Sequence, residues 1–169
     1  MKKPNMIRWA PPGLNLKPEK QFFFIGMLCA VLYSFMFFIR YGNARFDLYI
    51  YSPASNTRIL IPGAVMPDFY LLLEYYWAGL AVLAICMLAL IIYHYVYHWQ
   101  GSKSIYLMRR LPNRFELHRR CLTLPLIGIF TCLLTAIILL LLFYGTYVAF
   151  TPKECLTPDQ WQKIWSVIL

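Results

Sequence analysis

The sequence predicts an all-α integral membrane protein with three transmembrane helices and a short cytoplasmic amphipathic helix between the second and third. Two observations lead to this prediction. Of the 169 residues, 60% are apolar and only 14% are charged, a composition typical of membrane proteins. In addition, three runs are long and apolar enough to cross a hydrocarbon core of about 30 Å, which takes about twenty helical residues.

The predicted spans cover residues 22–39, 70–99 and 122–150 of a single membrane domain, 1–169. Each is expected to be helical, because lipid offers no partner to unpaired backbone groups. Aromatic residues gather at both ends of the second span, where Trp77 and Trp99 lie 22 positions apart. That is about 33 Å along a helix, the separation of two membrane interfaces. The first span lacks a small-residue cleavage site, so we expect a retained helix rather than a signal peptide.

Positive charge is concentrated on one side of the predicted membrane. The arm 1–20 and the loop 101–120 together hold 11 of the 16 Lys and Arg residues, five in the arm and six in the loop. Because basic loops stay in the cytoplasm, both segments are expected there, with the arm at the membrane interface. The loop 41–68 and the tail 151–169 then face outward. The chain is thus predicted to be a multi-pass plasma-membrane protein with a cytoplasmic N-terminus and an extracytoplasmic C-terminus.

The two outward segments each contain a predicted element. In the loop 41–68, the stretches RFDLYIY and RILIPG flank the turn-rich SPASNT, which indicates a small β-hairpin. In the tail, Thr157 is a candidate N-cap with Pro158 at the first helical position. The helix that follows would present one apolar face at the outer surface, formed by Trp161, Ile164, Trp165 and Ile168.

Motifs for catalysis or cofactor binding are missing from the sequence. It has no GxSxG, no HExxH and no close pair of acids, and GSKS at 101–104 lacks the spacing of a phosphate-binding loop. The seven acidic residues are scattered, and none is predicted within the middle of a span. The net charge of +9 is explained by membrane topology rather than by nucleic acid. We therefore predict no enzyme, no catalytic residue, no cofactor and no nucleic-acid partner.

His94 and His98 lie four residues apart, so one helix face could present both imidazoles to a metal ion. The preferred interpretation is that both histidines sit at a hydrated interface among Tyr93, Tyr95 and Tyr97, and no metal site is predicted. The five cysteines show no CxxC spacing. They are interpreted as small apolar packing residues rather than a disulfide framework.

The basic loop 101–120 has a pattern that membrane anchoring alone does not require. A helix over 103–111 would place Ile105, Met108 and Leu111 on one apolar stripe. Pro112 would then break the helix, and Asn113 would cap the next one. Positive-inside anchoring remains the alternative, because it explains the charge, although not the stripe.

The run IYLMRRLPNRFELHRR resembles the cytoplasmic segment between the second and third spans of type-2 ABC exporter permeases. The order of arm, first span, outer loop, second span, basic segment and third span is also similar. The resemblance implies a coupling helix that docks on an ATPase subunit. Such permeases usually carry six spans and this chain has three, which implies a half-size or split subunit that works with a second copy or another membrane subunit.

What the resemblance implies is a non-enzymatic permease subunit of an ATP-driven export complex in the lipid bilayer. ATP would be hydrolysed by the partner, an ABC-type ATPase, so this chain would hold no cofactor. The segment expected to dock on the ATPase comprises Ile105, Tyr106, Leu107, Met108, Arg109, Arg110, Leu111, Pro112 and Asn113. The alternative function is a small membrane scaffold or regulatory subunit that binds a membrane partner and transports nothing itself.

Overall fold

The computed structural model describes residues 16–53, 56–73, 75–100, 116–160 and 162–163. Its elements in chain order are α1 Leu16–Ser34, α2 Met36–Phe46, β1 Tyr49–Ser52, β2 Thr57–Leu60, α3 Phe69–Leu73, α4 Ala78–Gln100, α5 Glu116–Phe150 and a 3-10 helix Lys153–Cys155. The chain forms two compact units. The first comprises Met1–Ala30 and Gly79–Thr135, and the second comprises Val31–Ala78 and Ala136–Leu169.

Within the part of the chain that the structure describes, three helical segments are long and apolar enough to cross a membrane, in agreement with the predicted number. They are Leu16–Phe46, which joins α1 and α2, then Ala78–Tyr97 and Cys121–Phe150. The first segment is longer than the predicted span 22–39 at both ends. At the N-terminal end, charged residues such as Lys17 and Glu19 are good helix formers, so the helix begins before the apolar run does.

The predicted second span, 70–99, is divided in the structure. Residues 69–73 form α3, and α4 begins only at Ala78. Between them the backbone makes tight turns, in which the amide of Tyr76 donates to the carbonyl of Leu73 and that of Ala78 to Tyr75. Apolar and aromatic composition continues through this turn, which is why hydropathy alone placed the start of the span too early.

The predicted coupling helix and the whole docking segment, Ile105–Asn113, lie outside the described residues. So do most of the predicted arm, 1–15, and the apolar face of the predicted tail helix, formed by Trp161, Ile164, Trp165 and Ile168.

In the first unit, α1, α4 and α5 pack through small residues. Leu83, Met87 and Cys132 form the buried centre. A Cβ atom on Gly26 would lie 2.8 Å from Cδ1 of Leu83, and one on Gly128 would lie 3.0 Å from Sδ of Met87. The two glycines therefore permit a close approach of α1 and α5 to α4, as small residues do in membrane helix pairs.

The core of the second unit is aromatic. The rings of Phe37 and Phe143 stack at a centroid distance of 4.5 Å, and Phe69 meets Phe37 edge-on at 5.8 Å. Tyr41 and Tyr147 extend the cluster, and both are buried. Such ring pairs stabilise a core beyond the area that they bury.

The predicted hairpin is confirmed in the second unit. Strands β1 and β2 pair antiparallel, with Ile50 opposite Ile59. Asn56 adopts a φ of 51° in the connecting turn, a conformation that Asn tolerates better than most residues. The guanidinium of Arg58 lies 5.0 Å from the ring centre of Phe46, so β2 contacts the end of α2.

The cysteines are free thiols. The prediction that they are packing residues is confirmed for Cys121, Cys132 and Cys155, which are buried. It is wrong for Cys29 and Cys86, which are exposed on the membrane-spanning helices.

Candidate functional site

The described residues contain one buried polar cluster within membrane-spanning helices of the first unit. It is formed by Glu19 in the first turn of α1, His94 in the C-terminal half of α4 and the backbone carbonyl of Cys121 in α5. Three helices thus each contribute one group to the same place. Ionisable residues inside a membrane segment are costly, so a buried cluster of this kind is a candidate functional site.

His94 is the centre of this cluster, and both of its ring nitrogens are engaged. Its Nδ1 lies 3.2 Å from the carbonyl oxygen of Cys121. Its Nε2 lies 3.2 Å from each of the two carboxylate oxygens of Glu19. The side chain of His94 is 0% exposed and that of Glu19 is 12% exposed.

The sequence interpretation of these two residues was wrong. His94 was expected at a hydrated interface, and the structure buries it. Glu19 was assigned to the arm 1–20 before the first span, and the structure places it within α1. The two residues are 75 positions apart, and no local sequence pattern around either one predicts contact with the other. One signal in the sequence was Pro125 within an apolar run. A proline deprives the carbonyl four residues earlier, here that of Cys121, of its helical donor, so a polar partner for that carbonyl could have been expected.

A second histidine lies at the neighbouring end of α5. His118 accepts or donates a hydrogen bond at Nδ1 with the hydroxyl of Tyr95 on α4, at 2.8 Å, and this contact is exposed. This exposed hydrogen bond differs from the buried His94 cluster, because water can take the place of either partner. Among the described residues no group of three or more His, Cys, Asp or Glu side chains is arranged to hold a metal ion.

The second unit has its own polar cluster, around Asp68, which lies just before α3. One carboxylate oxygen of Asp68 accepts hydrogen bonds from Thr157 Oγ1 and Gln160 Nε2, both at 2.8 Å, and from Lys163 Nζ at 2.9 Å. The amide of Phe69 donates to Oε1 of Gln160 at 2.9 Å. The hydrogen bonds from Gln160 and then Lys163 lower the pKa of Asp68 below its ordinary value.

This Asp68 cluster changes the role predicted for Thr157. The predicted N-cap would accept a hydrogen bond from the backbone of the tail helix. In the structure its hydroxyl donates to Asp68 and also contacts Nε2 of Gln160. Together with the hydrogen bond from the amide of Met66 to the carbonyl of Cys155, at 2.9 Å, the cluster fastens the segment after α5 to the segment before α3. It is therefore a structural site.

Comparison with known proteins adds no assignment, since no family model, curated protein or solved structure matches the chain.

Proposed function

We propose that the chain is a non-enzymatic transmembrane subunit of an ATP-driven export complex of the ABC type. The observation that carries the proposal is the run IYLMRRLPNRFELHRR, which joins two membrane-spanning helices. The first part of the run, 105–115, follows the end of α4 at Gln100, and its last five residues, 116–120, begin α5. A coupling segment would have the same position between consecutive spans. The ATP chemistry belongs to the partner ATPase.

The proposal includes a second membrane subunit or a second copy of this chain. The spans have large apolar surfaces for contact with such a partner. In the most apolar 18-residue stretch of each span, only 17%, 17% and 22% is buried within the chain. The most exposed side chains of these helices include Phe22, Phe24, Ile92 and Phe130. Lipid would cover the remaining surface in a plasma membrane, with the N-terminus in the cytoplasm and the C-terminus outside.

The proposed docking surface is the stripe Ile105, Met108 and Leu111, flanked by Arg109 and Arg110. A Met108→Asp substitution would place an unpaired charge in that contact and cost several kcal/mol, enough to release the ATPase. The measurement is affinity purification of the tagged full chain from host membranes, followed by identification and activity of the copurified ATPase. We expect ATPase with the wild type and a loss of at least tenfold with Met108→Asp.

Two variants serve as matched controls. Met108→Leu keeps the volume and apolarity of the side chain and should retain the ATPase. Ser102→Asp adds the same charge to the same loop, away from the stripe, and should also retain it. Normal ATPase recovery with Met108→Asp would show that the loop is only a membrane anchor.

The scaffold function is distinguished by the same purification. A wild-type chain that copurifies with a membrane protein, such as a kinase or protease, and with no ATPase would contradict the export proposal and favour the scaffold or regulatory subunit.

A further inference from the structure

Pro125 deprives one carbonyl of α5 of its usual helical donor. A helical carbonyl normally accepts a hydrogen bond from the amide four residues later, and for Cys121 that residue is Pro125, which has no N–H. Pro125 and Cys121 are both buried. The carbonyl of Cys121 therefore needs another donor, and Nδ1 of His94 lies 3.2 Å away. Because a carbonyl only accepts, Nδ1 must carry a proton.

The other ring nitrogen of His94, Nε2, faces the carboxyl group of Glu19. When ionised, this group can accept hydrogen bonds but cannot donate them. If Nδ1 holds the single proton of a neutral imidazole, Nε2 presents a lone pair. That lone pair would point at both carboxylate oxygens of Glu19, at 3.2 Å. Two acceptors at this distance repel each other, and the burial of His94 leaves no room for water to separate them.

One additional proton removes the conflict. It can reside on Nε2, which gives an imidazolium and a carboxylate, or on Glu19, which gives two neutral groups joined by an O–H···N bond. Both arrangements contain the same number of protons and have zero net charge. Without that proton the pair carries a net negative charge between apolar helices, which is the costly state.

We propose that Glu19 and His94 form a proton-binding site, and that release of its proton loosens the junction of α1, α4 and α5. The proton is exchanged with water through Glu19, whose side chain is the partly exposed member of the pair. The Cys121 carbonyl fixes the orientation of the imidazole. The site is independent of ATPase docking, because none of its three groups belongs to the segment 101–115.

Other ionisable side chains lie on the same three helices, within three residues of Glu19, His94 or Cys121 in sequence. They are Lys17 and Lys20 on α1, Tyr93, Tyr95 and Tyr97 on α4, and His118, Arg119 and Cys121 on α5. These groups contribute to the electrostatic field at Glu19 and His94. Glu19→Gln leaves all of them in place, and the control His118→Gln removes one of them, so the control also measures how much a neighbouring ionisable group contributes.

The first test measures thermal unfolding of the purified full chain in detergent between pH 6 and pH 8.5. Because the proposed site holds its proton only in the folded chain, the stability of the folded state should fall as the pH rises. We expect the apparent Tm of the wild type to drop by about 5 °C across this range. Glu19→Gln should give a flat profile, because its amide can donate to Nε2 without a titrating proton.

The matched control is His118→Gln, which removes a histidine from the same end of the helices without touching Glu19. It should keep the wild-type pH dependence. A flat wild-type profile, or an equal slope in wild type and Glu19→Gln, would overturn the proposal.

The second test does not depend on the folding of a variant. Nitrogen NMR of histidine-labelled wild type reports the protonation of each ring, and the His94 signal is assigned by its loss in His94→Gln. We expect the His94 ring signal to change once between pH 6 and pH 8.5. A His94 signal that stays constant over this range in the folded wild type would contradict the proposed proton release.

Discussion

Asp68 connects the segment before α3 with the segment after α5 in the second unit. Its carboxylate accepts from Thr157, Gln160 and Lys163. Its backbone carbonyl accepts from the amides of Leu71 and Leu72 in α3. A single carboxylate thus holds two segments that are about ninety residues apart. Removing its charge should release the later segment.

Asp68→Asn is expected to destabilise the second unit by about 1–3 kcal/mol at neutral pH, because Thr157, Gln160 and Lys163 would donate to a neutral amide oxygen in place of a carboxylate. The stabilisation by the lowered pKa of Asp68 is complete above its unfolded value of 3.8 and disappears as the pH falls through the folded value. Protection of the amides of Met66 and Phe69 from hydrogen exchange, relative to their intrinsic rates, should therefore fall in acid in the wild type and be low at every pH in the variant.

Asp159→Asn is the control for that measurement. Asp159 is exposed, and its φ of 60° is a conformation that Asn also adopts. Exchange rates should match those of the wild type. Equal exchange in Asp68→Asn and Asp159→Asn would mean that Asp68 does not hold the segment.

The polar contacts of single residues were the least predictable from sequence. Gln160 meets Asp68 across 92 positions and Glu19 meets His94 across 75, and each residue alone is compatible with exposure to water. The three spans could be predicted because hydropathy acts locally over about twenty residues. The hairpin could be predicted because β-prone residues flank a turn-forming segment. Pairing between distant polar groups leaves no such local signal.

At the scale of helices, the packing of α5 against α4 depends on Gly128. Substitution by Leu would force side-chain atoms against Met87, since even a Cβ atom would lie 3.0 Å from its Sδ. We expect Gly128→Leu to cost about 1–3 kcal/mol through overpacking. Denaturant titration in mixed micelles would measure the loss.

Gly145 provides a control within the same helix. A Cβ atom there would meet nothing within 4 Å, and the residue is exposed. Gly145→Leu should therefore be neutral or slightly stabilising, because Leu is a better helix former than Gly. If both substitutions cost the same, the effect comes from the loss of glycine rather than from helix contact.

At the scale of the whole molecule, the charge distribution predicts the orientation of all three spans. Single cysteines introduced at Ser55, Ser102 and Ser166 in a background without the native cysteines would report it. We expect Ser55→Cys and Ser166→Cys to react with an impermeant maleimide in intact cells, and Ser102→Cys only after permeabilisation. Labelling of Ser102→Cys in intact cells would show that the loop 101–120 faces outward, contrary to the predicted topology.

The three spans differ in length, and this has a consequence for the lipid around them. Helix α5, Glu116–Phe150, has 35 residues and α4, Ala78–Gln100, has 23, which correspond to about 52 Å and 35 Å of helix. A hydrocarbon core of about 30 Å matches the shorter helix and not the longer one. Hydrophobic mismatch of this kind is relieved by tilt or by local thickening of the bilayer. Acyl-chain length should therefore alter the tilt of α5 more than that of α4, so the protein is expected to be sensitive to membrane thickness.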